Sequence, residues 1–296
     1  MRSVPLLVLV LLAATPALAE LDSFGLGTGR DGVLSVTTPG RVINPAVPLV
    51  ADAPAGSRVL RIERAVGPAA GTLVLIHQSM GLPATTPSGN TGAVTPGAVG
   101  RWELARVESV TGTTPPEVVL TEPLANRYTV PGAQVVVVPE YTSVNVSASG
   151  SIVASPWDGS SGGIVAFLVT GTLTNQGLIS ADGAGFRGGT FVNHPETYAC
   201  TGLDVSAEAG GAYKGEGLVV TRYGVAAGRG NLANGGGGAN CHNSGGGGGG
   251  HNDTGGTGGR TSDSDDGRDE GGLGGAAVRY SLLEQFVFGG GGGAGE

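Results

Sequence analysis

Polar and apolar residues alternate with a two-residue period in short runs, and over 58–142 no stretch sustains helical periodicity over a useful length. Arg58-Val59-Leu60-Arg61-Ile62 and Trp102–Val107 alternate, and Thr72–His77 is a short apolar run. Val118–Leu120 and Gln134–Val138 complete a set of five strand signals. Gly112, Pro115-Pro116 and Pro131-Gly132 break the pattern, and one long loop occupies 78–99. Short strands bounded by turns predict a small β-barrel or sandwich over 58–142. Ahead of it, Pro39, Pro45, Pro48 and Pro54 surround the alternating Val33–Val36. That density of proline excludes a helix, so 20–57 reads as a Pro/Gly-rich arm with one or two short strands.

From 143 the pattern changes. Val144–Ala154 lays over Gly171–Ala181 at an offset of 27 residues, with Gly150 on Gly177, Ile152 on Ile179 and Ala154 on Ala181. Val146 and Leu173 match in type in this overlay. A repeat of that length, with glycine at the corner, is what successive coils of a parallel β-helix require. The expected fold class is all-β: the small barrel or sandwich, then a glycine-rich right-handed parallel β-helix (β-solenoid) over 143–296. Residues 228–275 hold 21 glycines in 48 positions, and ordering glycine costs more backbone entropy than ordering any other residue. The tract therefore reads as a Gly/Asp loop; the alternative is a packed glycine sheet, which bare backbones allow by close approach. A further glycine run follows Gln285–Phe288 directly. Solenoids need capped ends, so the chain reads as the amino-terminal portion of a longer repetitive protein.

The first 19 residues change the picture of where this fold works. Met1-Arg2 is a positive start, Val4–Ala14 is apolar, and Ala17-Leu18-Ala19 is a small-x-small cleavage pattern before Glu20. The expected protein is exported, with cleavage after Ala19 and an extracellular or outer-surface location. The later apolar runs are strand-length, so no transmembrane segment is expected in the mature chain. A net charge of −8 with a single lysine, Lys214, argues against nucleic acid as a partner. Export also permits disulfides, and Cys200 with Cys241 would close a 42-residue loop.

Asp263, Asp265, Asp266, Asp269 and Glu270 offer hard oxygen ligands suited to calcium, but without an EF-hand or nonapeptide spacing they also read as a solvated charge run. Cys241-His242 and His251 lack the paired spacing of a zinc site, and no other cofactor is expected. Asp158, Asp182, Arg187 and His194 could be drawn into a polysaccharide-cleaving scheme, although Asp182-Gly183 is also a plain coil corner. No nucleophile elbow, zinc-protease motif or P-loop occurs, so no catalytic residue is assigned.

Three segments carry a family resemblance: Leu73–Gln78, Gly163–Leu168 with Ile179–Gly189, and Asn234–His251. In that order they resemble the glycine-rich secreted proteins of gliding soil bacteria, often labelled adventurous gliding motility proteins. The resemblance implies a cell-surface location and a role in motility or adhesion, and carries over no catalytic residues. The expectation is a secreted structural or adhesin-like protein that meets extracellular polysaccharide or cell-surface components. A carbohydrate-active solenoid enzyme, lyase or hydrolase, is the alternative.

Overall fold

The computed structural model describes residues 24–295 apart from 66, 84–87, 91, 113, 194–201, 205–210, 220–226, 240–242 and 261–270. The export signal with its Ala19 site, Cys200, Cys241, and the acidic group Asp263, Asp265, Asp266, Asp269 and Glu270 lie outside the described residues. Those described form thirteen strands and no helix. The first, β1 (Val33–Val36), pairs with a segment more than a hundred residues away. Between them runs an antiparallel sheet of six strands: β2 (Ala46–Pro48), β3 (Val59–Arg61), β4 (Leu73–Gln78), β5 (Trp102–Thr111), β6 (Glu117–Leu120) and β7 (Ala133–Val138). Their order is β2-β7-β4-β5-β6-β3. Beyond β2 and β3, Leu49 bridges Ile62, so the two edges of the sheet meet. Closure of this kind removes exposed strand edges. A register shift between Val107 and Ser109 bends the long β5, as a bulge does.

Strand β4 is buried at all six positions and does not alternate. Val74 and Ile76 face an inner core with Val47, Leu60, Val118 and Tyr128, while Leu73 and Leu75 face a second core with Trp157, Leu218 and Phe288. Both faces of the strand are covered, which is why Leu73–Ile76 is a continuous apolar run.

The second covering layer begins with short parallel strands: β8 (Glu140–Tyr141), β9 (Ser143–Val146), β10 (Ser151–Val153), β11 (Leu168–Val169), β12 (Leu173–Asn175) and β13 (Leu178–Ser180). They stack in rungs, β1-β9-β12 side by side, with β10 on β13 and β8 on β11. Arg41 bridges Ile152 in parallel, so the first rung comes from before the antiparallel sheet and the others from after it. The residues read as a separate arm thus contribute one strand to each layer. Ile152 pairs with Ile179 at the offset of 27 expected from the sequence. Val144, however, pairs with Leu173, an offset of 29, so Leu173 lies two positions away from the overlay on Val146. The corner between β9 and β10 is two residues longer than that between β12 and β13. A slip of two preserves which side chains face inward, and Leu34, Val144 and Leu173 form one column.

The stack ends at Ser180, and no closed solenoid forms among the described residues of 143–295. Further coils would need inward apolar residues to stack, and glycine supplies none. The described part of 228–275 is nevertheless not a free loop. Gly245 N–H donates to the Gly259 carbonyl and Gly248 N–H to Gly256, while Gly258 N–H donates to Gly272 and Gly255 N–H to Gly275. Gly272 and Gly275 then donate back to Gly245 and Gly248, closing the triangle. Each contact recurs every third residue, the period of a polyproline II-type extended chain, which makes no internal hydrogen bonds and must find partners in its neighbours. Gly236, Gly247, Gly291 and Gly293 join the same lattice. The expectation of a loop fails because it counts the entropy of glycine and not the backbone hydrogen bonds that only bare chains can approach closely enough to make. Leu218, Val278, Val287 and Phe288 fasten this array to the outer face of the antiparallel sheet.

Candidate functional site

A cleft of about 460 Å³ opens where the first parallel rung meets the antiparallel sheet. Arg30, Arg41 and Asp31 stand at its polar side, and Leu34, Tyr141 and Leu73 supply apolar wall. Arg30 leaves the turn before β1, and its guanidinium lies against Gly71: a Cβ there would come within 2.7 Å of Arg30 Nη1. Arg41 is held by its backbone, which receives and donates bonds across the rung to Val153 and Ser151. Both arginines are exposed, and neither forms an ion pair with a described residue. The acid is committed: Asp31 Oδ2 accepts the Glu140 N–H at 2.7 Å. Burial pushes the Tyr141 hydroxyl up, the Asp31 charge adds to this, and Arg41 opposes it. The chemistry on offer is two cations beside an apolar floor, suited to an anion with a flat apolar face.

Behind the cleft, the fully buried carboxylate of Glu140 accepts Arg106 Nη1 at 2.8 Å, Arg106 Nη2 at 3.2 Å and Thr28 N–H at 2.8 Å. Arg106 belongs to β5 and Glu140 to β8, so this pair pins the sheet to the stack. Burial raises the Glu140 carboxyl, but the bonds from Arg106 and Thr28 outweigh it and hold the group below the usual carboxylate range.

A second polar line runs through the buried interface with the glycine array. His77 Nε2 lies 2.7 Å from the Phe286 carbonyl, so this nitrogen carries the proton. His77 Nδ1 then accepts from Ser79 Oγ at 2.8 Å, and Gln134 Nε2 donates to the same hydroxyl oxygen at 2.8 Å. Gln134 also grips the Gly162 backbone from both sides. Burial pushes the His77 imidazole down to about 4, against the upward pull of the Phe286 bond. The folded state therefore refuses a proton that the unfolded chain accepts below about 6.5. Stability is full above pH 6.5, falls as the pH drops through this window, and levels off below about 4. The expected loss is about 3 kcal/mol. Thermal melts of wild type and His77→Gln across pH 4–7 check this, since the variant should lose that part of the slope.

The residues proposed for a cleavage scheme are placed differently. Asp158 Oδ1 accepts the Ser160 and Ser161 amides at 2.8 Å each and so caps its own turn. Asp182 sits in an exposed turn with its N–H on Ser180 Oγ. Arg187 forms a bidentate pair with Glu216, at 3.1 and 2.7 Å, and its guanidinium packs against Gly159. His194 lies outside the described residues, as does His242, whereas His251 bonds the Val287 carbonyl at 3.0 Å. Among the described residues no cluster of metal-ligating side chains occurs, and no helix is long and apolar enough to cross a membrane. The sequence reading missed Arg30, Arg41, Arg106, Glu140 and Glu216. Nothing local marks them, because what each one meets lies on a segment distant in the chain: Gly71 for Arg30, Ser151 and Val153 for the Arg41 backbone, Glu140 for Arg106, and Arg187 for Glu216.

No protein-family model and no curated protein matches the chain. Three solved structures of phage tailspikes show a slight likeness. Gp61 of Pseudomonas phage phi297 is 16% identical over 51% of this chain and 23% of its own, with a TM-score of 0.25. The Gp54 tailspike of Acinetobacter baumannii bacteriophage AP22, solved with a capsular saccharide, is 14% identical over 50% of this chain and 27% of its own, with a TM-score of 0.25. Tailspike gp49 of Pseudomonas phage LKA1 is 10% identical over 42% of this chain and 27% of its own, at 0.23. The chain spans about a quarter of the length of these tailspikes. At such scores the likeness carries no argument, and the chain is characterised by its own geometry as an all-β protein that combines an antiparallel sheet, a short parallel stack and a glycine lattice.

Proposed function

We propose that this is an exported, structural or adhesive cell-surface protein that holds a segment of acidic polysaccharide in the cleft between the stack and the antiparallel sheet. The observation that carries the reading is the pair Arg30 and Arg41, without acidic ion-pair partners among the described residues, on a cleft of about 460 Å³ in a chain of net charge −8. That volume lies in the range of small-ligand sites. A carboxylated sugar would place its acid on the guanidinium groups and its ring face on Leu34 and Tyr141. In this reading the three rungs belong to a right-handed parallel β-solenoid, and the binding serves attachment or gliding, as the sequence resemblance implies. Asp158 and Arg187 support a binding role by being spent on their own turn and on Glu216.

Binding of the mature chain to uronic-acid and neutral polysaccharides, with end-group analysis for cleavage, tests the proposal. Retention of the acidic polymers, weakened about tenfold by Arg30→Ala with Arg41→Ala and reduced by salt, is the expected result. Asp182→Ala should bind as wild type. Equal retention of neutral polymers, or none at all, refutes the reading, and release of new chain ends replaces it with the enzyme.

A further inference from the structure

Among the described residues, the two most exposed large apolar side chains sit together on one turn far along the chain from the cleft. Leu282 is 80% and Leu283 is 93% exposed. Such residues on a loose loop would mean little, but this turn is tied down by hydrogen bonds. Ser281 O accepts the Glu284 and Gln285 amides at 3.1 and 2.9 Å. The Gln285 side chain donates to the Gly97 and Val99 carbonyls at 2.9 and 2.7 Å. Phe286 N–H donates to Gly100 O at 2.8 Å and Arg279 N–H to Val94 O at 2.9 Å, so both stems are tied to the segment before β5. The fold thus holds two leucines outward on a supported apex, where water gives nothing back for their exposure.

The surroundings of the apex indicate what it meets. Trp102 and Phe286, 40% and 42% exposed, lie at its base, because Arg101 bridges Gln285 and the Phe286 ring lies tilted against His77, the cross-strand partner of Trp102, with centroids 5.1 Å apart. Exposed Arg279 lies on the first stem, its guanidinium donating to the Asn252 carbonyl at 2.6 Å, and exposed Arg101 lies on the segment bridged to the second stem. Apart from exposed Glu284 on the shoulder of the turn, the leucine tip, the aromatic base and the flanking cations follow the order of a bilayer interface: acyl chains, headgroup boundary, anionic phosphate. A convex apex of this kind suits a soft apolar phase. We propose that the Ser281–Glu284 turn is a membrane-contact element that inserts Leu282 and Leu283 into the surface of an anionic lipid bilayer. This stands independently of the cleft.

Tryptophan fluorescence reads it directly, since Trp102 is 40% exposed and Trp157 only 2%. The mature chain is titrated with vesicles of phosphatidylcholine containing phosphatidylglycerol, and cosedimentation is measured in parallel. Vesicle binding with a blue shift is expected, together with a loss of about tenfold or more for Leu282→Ser with Leu283→Ser. The exposed leucines can be replaced without altering the melting temperature, and a melt confirms this. Arg30→Ala with Arg41→Ala should leave vesicle binding intact, which separates the apex from the cleft. Absence of binding by the wild type, or binding unchanged in the double serine variant, overturns the proposal.

Discussion

Gly237→Ala is expected to destabilise the protein by about 4 kcal/mol or more, lowering its melting temperature by roughly 10 °C. Gly237 is buried, donates its N–H to Leu273 O at 2.8 Å and accepts the Gly247 N–H at 2.8 Å. A Cβ on it would overlap the Arg229 carbonyl and the Gly230 backbone. The obstructing atoms are backbone, so no rotamer change relieves the clash, and the extended chains must move apart. Separation would break hydrogen bonds on several sides at once, because consecutive residues of this lattice bond to different neighbours. Gly256→Ala is the control. Gly256 lies on an edge of the same lattice with nothing within 4 Å of its missing Cβ, so its variant should melt within about 0.5 kcal/mol of wild type. Equal effects at both positions would show that the lattice is not packed as described.

Glu140→Ala is expected to cost about 3–5 kcal/mol. Removing the carboxylate leaves Arg106, only 17% exposed at its side chain, without its bidentate partner, and leaves the Thr28 amide without its acceptor. Arg106 retains the Gly71 carbonyl at 3.0 Å, which compensates a fraction of the loss. The damage should reach the cleft, since the Glu140 backbone is also bonded to Asp31 and Tyr141 follows directly. Chemical denaturation gives the first quantity and polysaccharide retention the second. Acid should mimic the variant in part. The Glu140 carboxyl is held low in the folded state, so its contribution is present above the ordinary carboxylate range and is lost as the pH falls below it. That loss begins where the His77 contribution has nearly levelled off, so the two can be separated on one pH axis.

The strands were legible because each depends on local periodicity. Five predicted segments, from Val59 to Val138, became β3 to β7, and the match of Ile152 to Ile179 is a real pairing. The corner glycines Gly150 and Gly177 were legible for the same reason: a side chain at Gly177 would strike the Gly150 and Ser147 carbonyls. The placement of β1 was not. Its partner Ser143–Val146 lies 110 residues away with a whole antiparallel sheet between, and no local pattern encodes a pairing across such an insertion. The cleft was illegible for the same reason, since Arg30 and Arg41 come from the near side of that insertion and Tyr141 from the far side.

Alternation and turn chemistry by themselves determined that this chain is β-rich and where its short strands lie. They rest on the two-residue period of extended backbone, which a single segment displays without its neighbours. The tertiary structure alone decided that β4 is covered on both faces, that the first rung precedes the sheet it closes over, and that a glycine tract is a lattice. Side-chain pattern reports what a residue would bury, but glycine has no side chain to report. Its order here comes from backbone donors and acceptors on other segments, and only the assembled fold brings those within reach.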